Sequence, residues 1–387
     1  MRTIGVVSVA RSDYGIYLPL LRQLKEDQDL RLHLIVAGAH LSSEFGGTVE
    51  AIVSDGFEVG DRVDMLLSSD SPEGVAKSIG LGVIGFAQSY ARQRPDILVV
   101  LGDRFEMHSA ALAALPFSIP VAHIHGGEIT QGAIDESLRH SMTKLSHLHF
   151  VSTQAYARRV IQLGEEPWRV KTVGALSLDN LREIELRPAQ ELEAKYGLNL
   201  LKKPLLVTFH PVTLEYRQVE WQMQELLVAL QQVGLPVVFT KPNSDTNNRV
   251  IVRLLEKYVK EHESAWLVEN FGTRDYFSMM ALSQAMVGNS SSGIIEAPSF
   301  HLPVVNIGTR QAGRVRGANV LDVGNSHEEI IEGIEKAISH QFVDKIRATE
   351  NPYGDGHAAD QIVAGLRSVE LDDRLIRKVF YDLGEIK

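Results

Sequence analysis

Asp103, His125, Glu128 and Asp135 stand close together in the chain, in the segments LGDRFE, HIHGGE and IDESLRH. Each can take or give a proton, so the group suits general acid–base chemistry. Asp135 and Glu136 precede Arg139 and His140 by one turn of an expected amphipathic helix, read from the spacing of Ile134, Leu138, Met142 and Leu145. On a generic helix such charges form solvated i,i+4 pairs. Here the helix follows the Gly126-Gly127 turn, which argues for a site instead.

A second set of residues suits an anion. Ser290-Ser291-Ser292-Gly293, in the run GNSSSGIIEAP, offers hydroxyls and approachable backbone amides before a short helix expected from Ile294. That arrangement is what a diphosphate requires. Glu296 within the helix has the reach for a ribose diol. The run GTRQAGRVRG adds Arg310, Gln311 and Arg314, and the loop starting KPN adds Lys241 and Asn243. In ARSDYG, Arg11 stands where a guanidinium can grip phosphate oxygens bidentately, although the GxGxxG dinucleotide fingerprint is absent there.

The elements needed to place these groups are legible around them. Residues 97–101 form an apolar, β-branched run of the kind found in a strand buried on both faces, and it stops at Gly102-Asp103-Arg104. A helix over 107–115 and a short strand over 121–124 follow, the latter stopping at His125. Ligands of open α/β sheets bind beyond the carboxyl ends of the strands, so Asp103, His125 and Glu128 should converge. Upstream, strands over 3–9 and 32–37 alternate with helices over 16–25, 48–54 and 73–92, and 61–72 reads as irregular. Downstream come a strand at 150–151, a helix over 155–163, a strand or linker over 168–173 and a charged helical stretch over 181–197. A fresh alternation then places strands at 205–209, 237–240, 265–269, 285–287 and 304–307, with helices over 220–232, 248–259 and 276–283. The fold class is α/β, with two doubly wound parallel units. The expected domains are 1–173, joined by 366–387, and 174–365.

Composition narrows the function classes. The 387 residues, 44% of them hydrophobic, suffice for two cores. A net charge of −10 argues against nucleic-acid binding through a broad basic surface. No apolar run approaches the ~20 residues of a membrane span, and no signal-peptide pattern opens the chain, so a cytoplasmic protein with no membrane partner is expected. With no cysteine among the residues, disulfides, thiolate nucleophiles and Cys-based zinc sites are excluded. The pairs His123/His125 and His147/His149 are weak metal signals, and neither a metal nor a cofactor is expected.

Taken in chain order, RSDYG, LGDRFE, HIHGGE, DESLRHSMTKLSHLH, NSSSGIIEAP and NIGTRQAGR resemble the hydrolysing UDP-N-acetylglucosamine 2-epimerase family over most of the chain. The resemblance implies a glycosyltransferase-B-like pair of Rossmann-like domains facing a cleft, with C-terminal helical pieces at 363–366 and 371–380 crossing back. It implies a UDP-2-acetamido sugar as substrate, UDP and the free 2-epimeric sugar as products, and elimination to a glycal followed by hydration as the route. Asp103 and Asp135 match family carboxylates implicated in catalysis, Glu128 is a third candidate, and His210 matches a family histidine that binds phosphate or supports the base. His125 departs from members with Glu at that position and so leaves the acid/base assignment open. Arg11, Arg139, Lys241, Asn243, Ser290, Ser291, Ser292, Gly293, Glu296, Arg310, Gln311 and Arg314 would hold the substrate, in an expected homodimer or homotetramer. UDP-N-acetylglucosamine is the expected substrate and UDP-N,N'-diacetylbacillosamine the alternative. A retaining glycosyltransferase is the reading from another class.

Overall fold

The structure, a computed structural model, describes residues 1–42, 47–67, 71–130, 134–212, 218–241 and 248–384. The chain divides into two compact units, Met1–Glu128 with Ala133–Asn180 and Gly356–Lys387, and Ile129–Gly132 with Leu181–Asp355.

In the first unit, strands β1 (Arg2–Ser8), β2 (Leu30–Ala37), β3 (Val59–Val63), β4 (Ile97–Leu101), β5 (Val121–Ile124), β6 (Leu148–Val151) and β7 (Val170–Thr172) form a seven-stranded parallel sheet in the order β3-β2-β1-β4-β5-β6-β7. Every residue of β4 and β5 is buried, which is why they read as continuous apolar runs without alternation. The chain winds outward from β1 and then returns to β4, so the sheet's topological switch lies between these two strands. The loop bearing Arg11 and the turn bearing Asp103 lie at that switch.

The second unit holds β8 (Leu205–Thr208), β9 (Val237–Thr240), β10 (Ala265–Val268), β11 (Ala285–Gly288), β12 (Val304–Ile307) and β13 (Val320–Val323), in the parallel order β10-β9-β8-β11-β12-β13. Strand periodicity divides its core between two faces. Leu205 and Val207 join the helices Val219–Val233 and His327–Ile338 in one cluster. Leu206, between them, enters the other cluster with Phe277, Met279 and Met280 of the helix Gly272–Leu282. The switch here falls between β8 and β11, beside His210 and the serine tripeptide.

Several elements differ from the sequence expectation. β3 overlaps the start of the stretch 61–72 read as irregular, and β13 was not anticipated. Both are edge strands with partly exposed residues, so neither carries an apolar run. The charged stretch 181–197 splits into the helices Asp179–Glu183 and Ala189–Tyr196, because Pro188 interrupts it. At the C-terminus, helix Ala358–Ser368 extends well beyond the piece expected at 363–366, while of 371–380 only Asp373–Ile376 is helical. The carbonyls that a longer helix would use are taken by Arg169, which donates to Leu375 O at 2.8 Å and Arg374 O at 2.7 Å.

The first unit keeps more chain than the expected 1–173 and 366–387, for a local reason. Asp179 accepts from the backbone N–H groups of Ala358 at 3.0 Å and Ala359 at 2.6 Å, capping the returning helix at its start. Arg2 donates to the carbonyls of Leu366, Arg367 and Val369 at its end. The segment beyond is pinned by Lys378, which meets the buried Glu165 at 2.7 Å. Burial works against the charge of Glu165, but hydrogen bonds from His149, Lys144 and Lys378 hold its carboxyl down to about 2.

Gly288 ends β11 with φ +132, and a Cβ there would lie 2.0 Å from the carbonyl oxygen of Thr208 on β8. Gly288→Ala is therefore expected to lower unfolding free energy by more than ~2 kcal/mol. Chemical denaturation checks this, and a change below ~0.5 kcal/mol contradicts the packing described.

Candidate active site

In the first unit the site is built on two adjacent strand ends. Gly102 leaves β4 with φ +75 and turns the chain so that Asp103 follows at the sheet's carboxyl edge. Arg139, on the helix Ile134–Leu145, donates from Nη2 to Asp103 Oδ2. The guanidinium is almost wholly buried. Burial opposes its charge, but the charges of Asp103, Glu128 and Glu136 outweigh that and hold it firmly protonated.

Asp135 starts the same helix. Its carboxyl is raised above the ordinary range, first by burial and then by the charge of Asp103, with Arg104 and Arg139 acting in the opposite direction. Two carboxyls thus sit in one electrostatic field with different preferences: Asp103 is ion-paired, and Asp135 is pushed toward its protonated form.

β5 ends in the HGGE turn. Gly127 has φ +74, and a Cβ on it would lie 2.6 Å from the carbonyl of Tyr156, so the turn requires glycine. His125 also takes a positive φ, +65, unusual for a residue with a side chain. Leu176 N–H donates to its Nε2 at 3.4 Å, which leaves the ring proton on Nδ1 for donation to Glu128 Oε1 at 2.6 Å. Ser152 donates to the same Glu128 oxygen at 2.9 Å, and Glu128 is 4% exposed. Arg159 donates to the Gly127 carbonyl.

Arg11 is exposed at the first position of a helix that begins earlier than expected, Arg11–Glu26. Beneath it, buried Asp13 accepts from Ser8 Oγ at 2.8 Å and from the N–H groups of Val9 at 2.9 Å and Ala10 at 2.6 Å. Burial raises the Asp13 carboxyl to about 6 despite these donors. Arg104, which pairs with fully buried Glu106 at 2.8 Å, exerts its charge on both Asp13 and Asp135. Sequence reasoning did not single out Arg104 or Asp13, although each stands inside a quoted motif.

In the second unit, Asn289 ties three loops together. His210 N–H donates to its Oδ1 at 2.7 Å, and its Nδ2 donates back to the His210 carbonyl at 2.8 Å. The backbone carbonyl of Asn289 accepts from Arg310 at 3.1 Å and Gln311 at 2.8 Å. The next residues, Ser290 and Ser291, lead into a helix that starts at Ser292 rather than Ile294. Tyr276 places its phenol among Thr208, Ser290 and Ser292. Its pKa is pushed up to about 12, chiefly by burial, with the charge of Glu296 also contributing. Burial, with the charge of Arg310, lowers His210 to about 3, so its imidazole is neutral near neutral pH.

Gly293 is buried, and Glu296, Arg310 and Arg314 are partly exposed around the serine loop; Gln311 is 2% exposed and committed to the Asn289 carbonyl. Lys241 pairs with Glu269 at 3.2 Å. Asn243 lies outside the described residues. Neither Asn289 nor Tyr276 was singled out from sequence. Asn289 was legible as the residue between the end of β11 and the serines, whereas Tyr276 had no signal beyond an apolar helix.

The like-charge field at Asp135 has a consequence for stability. A carboxyl raised in the folded state favours folding below its unfolded pKa of 3.8, and that contribution is lost as pH rises through the higher folded value. Asp135→Asn removes the repulsion, so its melting temperature should match or exceed wild type at pH 7.5 and lose that advantage in acid. A lower melting temperature for the variant at pH 7.5 contradicts the electrostatics.

The family profile described as UDP-N-acetylglucosamine 2-epimerase matches residues 22–367. The chain is 38% identical over 387 residues to the polysialic acid biosynthesis protein P7 of Escherichia coli, covering 100% of this chain and 98% of that protein. It is also 38% identical over 385 residues to the GDP/UDP-N,N'-diacetylbacillosamine 2-epimerase (hydrolyzing) of Campylobacter jejuni, covering 99% of each. Its backbone is similar to that of the UDP-GlcNAc 2-epimerase from Neisseria meningitidis bound to UDP-GlcNAc, with a TM-score of 0.82 at 20% identity over 95% of this chain and 99% of that one. That likeness is one of fold, two Rossmann-like domains of the glycosyltransferase-B kind. The profile spans most of the chain and the relatives align with it end to end: the chain belongs to the UDP-N-acetylglucosamine 2-epimerase family.

Proposed function

We propose that this enzyme is a hydrolysing 2-epimerase that converts UDP-N-acetylglucosamine into UDP and N-acetylmannosamine. The observation that carries the reading is the pair Asp103 and Asp135, one ion-paired to Arg139 and the other raised by burial and by its neighbour's charge. Inverting a carbon next to an acetal carbon needs a base on one side of the sugar and an acid on the other. In the proposed route Asp103 removes the C2 proton as the C1–O bond breaks and UDP departs, leaving a glycal. Water then adds through its oxygen to C1, losing one of its protons to solvent, and Asp135 delivers a proton to C2 on the opposite face. Buried Glu128, held by His125 and Ser152, lines the same strand ends and is a third candidate for proton transfer.

Arg139, Arg11 and the second unit's residues are assigned to the substrate. Ser290, Ser291, Ser292 and Gly293 suit the diphosphate through hydroxyls and amides, with Lys241, Arg310 and Arg314 supplying charge. Glu296 suits the ribose, and Asn243 and Gln311 complete the set carried over by motif. Neutral His210 fits hydrogen bonding to a phosphate oxygen better than charge neutralisation. A cytoplasmic location and a homodimer or homotetramer belong to the same proposal, to be checked by cell fractionation and light scattering.

A second substrate, UDP-N,N'-diacetylbacillosamine, is favoured by the activity for which the Campylobacter jejuni relative is named. Incubation with each nucleotide sugar, without acceptor, should give UDP and a free 2-epimeric sugar. Release of intact UDP-sugar epimers, or dependence on an acceptor as in a retaining glycosyltransferase, overturns the hydrolysing reading. Asp103→Asn and Asp135→Asn should keep UDP binding and lose about 10²–10⁴ in turnover. Full activity in both removes these carboxyls from the mechanism. Arg11→Ala should weaken UDP binding by roughly 1.5–3 kcal/mol and Ser291→Ala by about 1 kcal/mol, and unchanged calorimetric affinities contradict those assignments.

A further inference from the structure

His123 is completely buried in β5, and its ring lies against two of the turns that carry acid–base candidates. Nε2 is 2.7 Å from the carbonyl oxygen of Gly102, which can only accept, so Nε2 carries the ring proton and donates it. Gly102 immediately precedes Asp103, and its own N–H donates to the Ile124 carbonyl at 3.0 Å. Next to it on the ring, Nδ1 stands 3.0 Å from where a Cβ on Gly126 would sit, and Cε1 stands 3.3 Å from it. The imidazole is thus packed directly beneath the residue joining His125 to Gly127.

The surroundings make a polar ring here costly unless it has a task. Val121, Ala122 and Ile124 share its strand, and all are buried. An apolar side chain would fill the space without the penalty of burying a polar atom that lacks a partner, as Nδ1 of His123 does. Burial holds His123 down to about 3, so it stays neutral and exchanges no proton in the working range. Its strand neighbour His149 is fixed in turn by donating to Glu165 Oε2 at 3.0 Å.

We propose that His123 is a positioning residue for the epimerisation: its Nε2–H fixes the Gly102-Asp103 turn while its Nδ1, packed against Gly126, sets the height of the Gly126-Gly127 turn. One ring thereby holds Asp103 at a fixed spacing from His125 and Glu128. The inference rests on the reading of Asp103 as a proton-transfer carboxylate, since a displacement near 1 Å at such a group costs about 10²-fold in rate.

The test compares His123→Phe and His123→Gln in the full-length enzyme with the UDP-sugar that wild type turns over. The Phe variant should lose about 10–100-fold in kcat with KM within about twofold, and exchange of the Gly102 and His125 amides should accelerate. The Gln variant, which keeps a donor at the reach of Nε2, should recover most of the rate and the amide protection. Should the Phe variant not fold, His123→Asn, whose amide falls short of the Gly102 carbonyl, takes its place with the same expectations. Wild-type kcat and exchange in the Phe or Asn variant overturn the proposal, as does a Gln variant as impaired as they are. If wild type turns over neither UDP-sugar, the functional reading fails, and the exchange comparison alone still decides whether His123 holds the two turns.

Discussion

The ion pair between Arg139 and Asp103 is the constraint on which the first unit's chemistry depends. It joins a helix to the end of a buried strand. The charge of Asp103 raises the neighbouring Asp135 carboxyl, while Arg139 acts against that rise. Loss of one partner from such a pair leaves the other desolvated and uncompensated, which is more harmful than absence of both. The pair therefore shapes the field at Asp135 as well as the geometry of the site.

The two sheets present their groups in the same way. Each switches direction between its first and fourth strands in chain order, and in each the loops beside the switch carry polar residues fixed by hydrogen bonds to neighbouring backbone. Asn289 cross-links the second unit's loops through His210, Arg310 and Gln311, and Asp13 performs a comparable task under Arg11 by accepting three donors. Rigid loops of this kind keep donors fixed while charge develops on a substrate, which is the condition for electrostatic catalysis.

The strand ends were legible because buried parallel strands are short continuous apolar runs, and those at Ile97–Leu101 and Val121–Ile124 end at glycine-containing polar segments. Asp103, His125 and Glu128 were read from that pattern, and Asp135 from the helical spacing of Ile134, Leu138, Met142 and Leu145. The edge strands β3 and β13 could not, since their half-exposed residues carry no distinctive period. The extended course of the C-terminal segment depends on Arg169, which lies some two hundred positions earlier and donates to carbonyls at 374 and 375. No local propensity encodes such a contact. Arg104 and Asp13 were in view within their motifs, but their influence on Asp135 and on the first loop arises only once burial and distance are fixed.

The central claim is that one group takes the C2 proton and a different group returns one. The most direct test is the wild-type reaction in D₂O, with the released sugar analysed by NMR or mass spectrometry. Because Asp135 equilibrates with solvent before it protonates the glycal, the account predicts deuterium at C2 of the product. A free 2-epimeric sugar carrying protium at C2 would contradict it.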